Sequence, residues 1–284
     1  MPHYGPESLS KVLSHYESPL FFTIRQLALF PILTRMNTLL KPGRMLYGIG
    51  IAALGIHQVI LGSFRPDIVP PFRWANQYAF LPVLTGVALI IAGIIISGLI
   101  VIKSIDVEKV SLYVAYCFGA LIVTFQLPYI LIAGKPSQLA TWFAVGETMA
   151  YCGGALLMAN SFTRIGEILF CFLIIMFGFS HFVYTDMVAT MIPKFFGSAV
   201  FWTYLVGVLL ISAGVAIVLR FRVKTVSLLL AVMLLLFFII FHVPDAIANP
   251  TAGGGNEIVR AIVCLLFTGI ALQIYYRELN TGRS

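Results

Sequence analysis

Residues 84–94 read LTGVALIIAGI and residues 205–215 read LVGVLLISAGV, one apolar segment that occurs twice and is identical at seven of its eleven positions. A segment duplicated in a chain of 284 residues makes the repeat unit about half the protein, which restricts the architecture more than any single motif does. The copies extend beyond the segment, because His57, near the end of one apolar run, has its counterpart in His181. Gly86 and Gly93 in one copy, like Gly207 and Gly214 in the other, stand seven apart on one helix face. That spacing serves close helix packing and implies no chemistry.

Composition sets the class. Apolar residues make up 60% of the chain and charged residues 10%, too few to keep the surface of a soluble domain wet. Stretches of about 20 apolar residues cross a hydrocarbon core of roughly 30 Å, and only as helices can they satisfy their backbone there. Eight can be placed, near 46–62, 79–102, 110–133, 141–159, 165–184, 199–219, 225–247 and 257–275. Four spans per copy is an even number, so both copies enter from one side and the pseudo-symmetry axis runs along the membrane normal. Equivalent residues then face one another across the axis at equal depth. The expected fold is an all-α membrane protein with eight transmembrane helices in two parallel-oriented four-helix bundle repeats. The first, diverged repeat covers 45–162 and the second 163–276, between an N-terminal arm (1–44) and a tail (277–284). In the arm, Arg25, Gln26 and Pro31 interrupt the apolar stretch Leu20 to Leu33, which reads as an interfacial amphipathic segment.

Of the 18 Lys and Arg residues, 13 fall on the side that holds both termini. The other side holds Arg65, Arg73, Lys135, Lys194 and Arg260. The positive-inside rule makes both termini cytoplasmic, as expected for a bacterial inner (cytoplasmic) membrane. Clusters such as Arg220, Arg222 and Lys224 are membrane-flanking anchors, so the net charge of +7 calls for the lipid bilayer as partner and for no nucleic acid. Cys117, Cys152, Cys171 and Cys264 sit inside apolar spans without CxxC spacing, which argues against a metal cluster or a disulfide framework. A phosphate-binding glycine loop, a HExxH motif and a nucleophile elbow are absent from the sequence.

What remains is a set of polar groups expected at one depth on the non-cytoplasmic side. His57 and His181 lie near the outer ends of the first and fifth spans, His242, Pro244 and Asp245 close the seventh, and Glu257 opens the eighth. His242 and Asp245 are three apart and share a helix face, as do His181 and Tyr184. In the first copy Gln126, Pro128 and Tyr129 stand where the second has His242, Pro244 and Asp245, so chemistry is expected in the second copy. Glu147 is placed about one turn deeper than Glu257, and an acid at membrane depth is functional by default. Each group has a bland alternative. The histidines can bond free helix-end carbonyls, Asp245 can cap a turn, Glu257 suits the first turn of a helix, and Asp186 is an ordinary loop acid.

The run HVPDAIANP from His242 to Pro250, the later FTGIAL, and GFSHF at 178–182 followed by Pro193 resemble the DoxX-like membrane proteins, as does LVGVLLISAGV. The resemblance covers the second copy well and the first as a diverged version. It implies a four-helix bundle per unit and a link to membrane redox and oxidative-stress assemblies, the family being named after a small subunit of a thiosulfate:quinone oxidoreductase. The thiosulfate activity does not carry over to a fused double unit; His181, His242, Pro244 and Asp245 do.

Three functions are then open. The favoured one is a quinone-linked redox or oxidative-stress component, possible as a subunit beside other membrane redox proteins, in which His181, His242 and Asp245 contact quinone or exchange its protons. His57, Tyr184, Glu147 and Glu257 are further candidates for cofactor contact. Haem held between His57 and His181 is a weaker variant. The second is a small-solute or proton transporter with Glu147 lining a polar path between the copies, and the third a non-catalytic assembly or scaffold protein.

Overall fold

The computed structural model describes residues 42–72, 74–75, 77–132 and 136–281. Residues 1–41 of the expected interfacial arm, Arg73 and Lys135, and residues 282–284 of the tail lie outside the described residues. Eight principal helices follow one another: α1 (Pro42–Leu61), α2 (Phe80–Ser97), α3 (Val107–Ile132), α4 (Phe143–Met158), α5 (Thr163–Val183), α6 (Ala199–Val218), α7 (Val223–Ala248) and α8 (Asn256–Thr281). Seven are long and apolar enough to cross a membrane. The eighth, α4, has 16 residues and is extended at one end by a 3-10 turn, Leu139–Trp142. It packs on α3, α5 and α8 and is buried almost all round, so it needs no lipid-facing side.

Each helix packs on the next, and α8 closes the ring by returning onto α1, while α2–α3 and α6–α7 touch least. Glycines set the closest approaches. A Cβ on Gly55 would lie 2.5 Å from the carbonyl oxygen of Gly86, and one on Gly178 would lie 2.8 Å from that of Gly207. A second contact of this kind joins Gly153 of α4 to Gly166 of α5, and recurs between Gly269 of α8 and Gly43 of α1. Small residues with exposed carbonyls let backbones meet where lipid supplies no hydrophobic drive to associate.

Matching the two glycine contacts to each other gives a register that differs from the sequence expectation. If Gly55 matches Gly178, the counterpart of His181 is Gln58, and His57 matches Ser180. The apparent pairing of His57 with His181 is one residue out of register, which turns the two imidazoles onto different helix faces. Matching Gly153 to Gly269 likewise pairs Glu147 with Val263 and Tyr151 with Phe267. On that match Glu257 aligns with Thr141, six positions before Glu147.

Helices α3 and α7 share an irregularity. Each carries a π turn, Ile122–Gln126 and Phe238–His242, two residues ahead of Pro128 and Pro244 respectively. A proline inside a helix lacks an N–H and clashes with the carbonyl four residues back, here Thr124 and Ile240. One extra residue in the turn relieves that clash, and Leu127 N and Val243 N donate to the carbonyls of Ile122 and Phe238.

The end that carries the arginine-rich turns is held by charge. Buried Glu167 accepts from Arg164 Nη1 at 2.9 Å and from Arg220 Nη1 at 3.0 Å, and Arg220 also donates to Glu278. Arg164 donates onward to the carbonyls of Ile217 and Val218, which closes the end of α6. Burial opposes the charge of Arg220, but hydrogen bonding to Glu278 and the carboxylates of Glu167 and Glu278 outweigh it and raise its pKa.

Candidate functional site

At the opposite end, the loop between α1 and α2 folds back into the bundle. Ile68, Val69 and Ala75 are buried against Leu89 of α2 and Leu121 of α3, filling the slack seam between those helices. This burial carries Arg65, Pro66 and Asp67 inward. Asp67, only 2% exposed, accepts from Arg65 Nε at 2.9 Å and from the Tyr151 hydroxyl at 2.9 Å. Thr148 Oγ1 donates to the Asp67 carbonyl and Gln126 Nε2 to that of Pro66, at 3.0 Å in the latter case. Tyr47 of α1 donates to the Tyr151 carbonyl at 2.7 Å. The π turn of α3 and helix α4 thus hold the loop at Pro66 and Asp67, and Tyr47 of α1 braces Tyr151.

Glu147 lies beside this network, in the field of Asp67, Arg65 and Arg260. No hydrogen bond or ion pair reaches it among the described residues. His57 faces Arg65 and Asp67 from α1, and its Nε2 stands 2.6 Å from where a Cβ on Gly255 would lie. Only glycine fits there, at a φ of 82°. The His57 Nδ1 is buried without a hydrogen-bond partner among the described residues.

Arg260 links this deep cluster to a shallower one. Its Nη1 donates to both oxygens of Glu257, at 2.7 and 2.9 Å. Glu257 is within hydrogen-bond reach of Asp245, which also accepts from Asn249 Nδ2 at 2.8 Å. His242, one turn before Asp245, lies in the field of Asp245 and Arg260. His242, Asp245 and Glu257 are therefore brought together, with Glu147 and His57 behind them.

His181 and Tyr184 stand apart. His181 Nδ1 lies 2.7 Å from the Phe177 carbonyl of its own helix, and its Cβ packs where a side chain on Gly207 would go. The Tyr184 hydroxyl accepts from Ala140 N at 3.2 Å, tying the end of α5 to the lead of α4. Neither interacts with His242, Asp245 or Glu257 among the described residues. The paired axial ligation of haem by His57 and His181 is left without geometric support, given the faces they occupy.

Sequence reasoning passed over Arg65, Asp67, Thr148, Tyr151 and Arg260. A signal was present. The loop holding Arg65 and Asp67 continues as Ile68, Val69, Pro70, Pro71 and Phe72, too apolar for a segment in water. Rings from α4, α5 and α8 pack together inside the bundle, with Tyr151 stacked on Phe267 at 6.2 Å, and Phe170 and Phe177 against Phe267 at 6.0 and 6.3 Å. Gly154 packs against Ile270 and Tyr47. Among the described residues this packing opposes a polar path between the halves of the kind a transporter would use. No family model, curated protein or solved structure matches this chain.

Proposed function

We propose that this chain is a quinone-linked redox component of the bacterial inner membrane, a DoxX-like protein made of two fused four-helix units with both termini cytoplasmic. The observation that carries the reading is the convergence of His242, Asp245, Glu257 and Arg260 at the outer end of α7 and α8. The duplication is supported by the recurring glycine contacts, the two π turns before proline, and equivalent residues meeting at Tyr151–Phe267 and Gly154–Ile270.

The donor set fits a ring that carries two carbonyl oxygens. Arg260 and His242 can donate to such oxygens, and the Asp245–Glu257 pair can give up or take a proton at the place where a headgroup meets the interface. A bound quinone would supply the electron-accepting step, with electrons delivered by a partner protein.

Purification in mild detergent followed by solvent extraction is expected to yield bound quinone. His242→Ala is expected to lower quinol turnover in membranes about 100-fold or more if the imidazole is a general acid-base. His181→Ala is expected to leave turnover near wild type, because that side chain bonds its own helix. Quinone-free protein together with unchanged turnover in His242→Ala would overturn the reading.

A further inference from the structure

We infer that the chain carries a binding site for the primary-ammonium headgroup of a membrane phospholipid, built from Asp186, the Val183 carbonyl and the rings of Phe182 and Tyr204. The site shares no residue with the His242 cluster and goes beyond the quinone reading. Between the end of α5 and the first turns of α6 lies an open hollow of about 580 Å³, with Phe182, Val183, Tyr184, Asp186, Val200 and Tyr204 among its lining residues. Ligand sites fall in a range of roughly 300–1,000 Å³, so a headgroup fits this space.

Each wall of the hollow suits a cation that can donate hydrogen bonds. Asp186 is the only charged side chain in the lining, and among the described residues it makes no ion pair and no side-chain hydrogen bond. Tyr184, at φ −117° and ψ 38°, interrupts the helix directly after Val183. The Val183 carbonyl is one of the last four of α5, and it accepts no hydrogen bond among the described residues. The C-terminal end of a helix favours positive charge. Phe182 and Tyr204 stack at 5.5 Å with planes 16° apart, and aromatic faces attract a cation as well. Gly207 makes this possible, because Phe182 Cε2 stands 2.8 Å from where a Cβ there would lie. A primary ammonium brings three N–H donors for the carboxylate and the carbonyl, whereas a quaternary one has none to give.

The surface beyond the hollow identifies the ligand as a lipid. Val200, Tyr204 and Val208 follow at four-residue spacing along one exposed face of α6, and Phe179 and Phe182 are exposed on α5. A free amine has no use for that apolar strip. An acyl chain can lie along it while the headgroup occupies the end of α5, at the level where a spanning helix reaches the interface. The first half of the chain has no such place. Matching Gly55 and Gly86 to Gly178 and Gly207 puts Val59, Ser63 and Val83 where Phe182, Asp186 and Tyr204 stand, so both rings and the acid are missing there.

Native mass spectrometry of the full chain, released from detergent containing equal amounts of phosphatidylethanolamine, phosphatidylcholine and phosphatidylglycerol, tests this. The wild type is expected to retain phosphatidylethanolamine about 10-fold better than phosphatidylcholine, and Asp186→Asn to lose about 10-fold of that retention, as the loss of a charge-assisted hydrogen bond implies. Tyr204→Leu should lose about 3-fold, the size of an exposed cation–ring contact. Asp186→Glu should restore most of the binding, and phosphatidylglycerol retention should not fall in Asp186→Asn. Asp186 is exposed, so its variants are expected to fold, with Cys171 and Cys264 still shielded from a thiol reagent. Equal retention of the three lipids, or an Asp186→Asn variant that holds phosphatidylethanolamine as the wild type does, would overturn the inference. Displacement of the lipid by excess soluble phosphoethanolamine would overturn it too, by assigning the hollow to a free amine.

Discussion

Asp67→Ala is expected to destabilise the protein by about 3–5 kcal/mol, because it strands a buried cation. Arg65 is 6% exposed, and its Nε donates to Asp67 in a place where water cannot replace that partner. The Tyr151 hydroxyl loses its acceptor in the same step. The loop then has no reason to keep Arg65 inside, and the expected route of failure is withdrawal of residues 64–72 from the seam between α2 and α3. Arg65→Leu combined with Asp67→Leu should cost less than Asp67→Ala alone, since it removes both charges together. Thermal unfolding in detergent, followed by a thiol-reactive dye, measures this directly: Cys152, Cys171 and Cys264 are buried and Cys117 is exposed, so three thiols report on unfolding. A double variant no more stable than the single one would show that the ion pair is not what holds the loop.

The second large effect contrasts two glycines that occupy matching places. A Cβ on Gly93 would lie 2.4 Å from Ala52 N and 2.5 Å from the Gly48 carbonyl oxygen, both backbone atoms. A Cβ on Gly214 would meet Ile175 Cγ1 at 2.5 Å, but the backbone no closer than 3.2 Å, at the Cys171 carbonyl. Side chains rotate out of the way, whereas backbones require whole helices to separate. Gly93→Ala is therefore expected to cost about 3 kcal/mol and Gly214→Ala about 1 kcal/mol, read in the same thiol assay. Equal losses would mean that the two helix pairs are equally rigid, contrary to this difference in contact. The cause is already in the sequence: Cys171 stands where α1 has Gly48, so α5 and α6 were never brought as close.

Much of the helical layout was legible because hydropathy and length decide it. The proline segments, Gln126 to Tyr129 and His242 to Asp245, share a π turn, since each proline demands the same backbone adjustment wherever it falls. The correspondence of the histidines was not legible. His57 and His181 look alike in sequence, but one position along a helix is a rotation of about 100°, and only the glycine contacts reveal which residue truly corresponds. The loop carboxylate was missed for a different reason. A loop acid is ordinarily in water, and nothing local marks Asp67 as an exception; its burial depends on apolar neighbours that follow it and on Tyr151, which is 84 positions away. The expectation that chemistry belongs to the second copy was framed around His242 and Asp245. The geometry adds Arg65, Asp67 and Tyr151, beside the Glu147 that the sequence already singled out.

The π turns have one more consequence. Each is a helix carrying a surplus residue, so the segment beyond it is indexed by that surplus and not by the helix alone. Deleting Ile239 from α7 would let the backbone return towards ordinary α geometry, yet swing His242 and Asp245 by about 100° and draw them about 1.5 Å along the axis. In a protein of this kind the aim of the polar groups is thus set by a count of residues some distance from them, and a shortened chain could remain folded in the membrane while its acids and imidazole pointed at lipid.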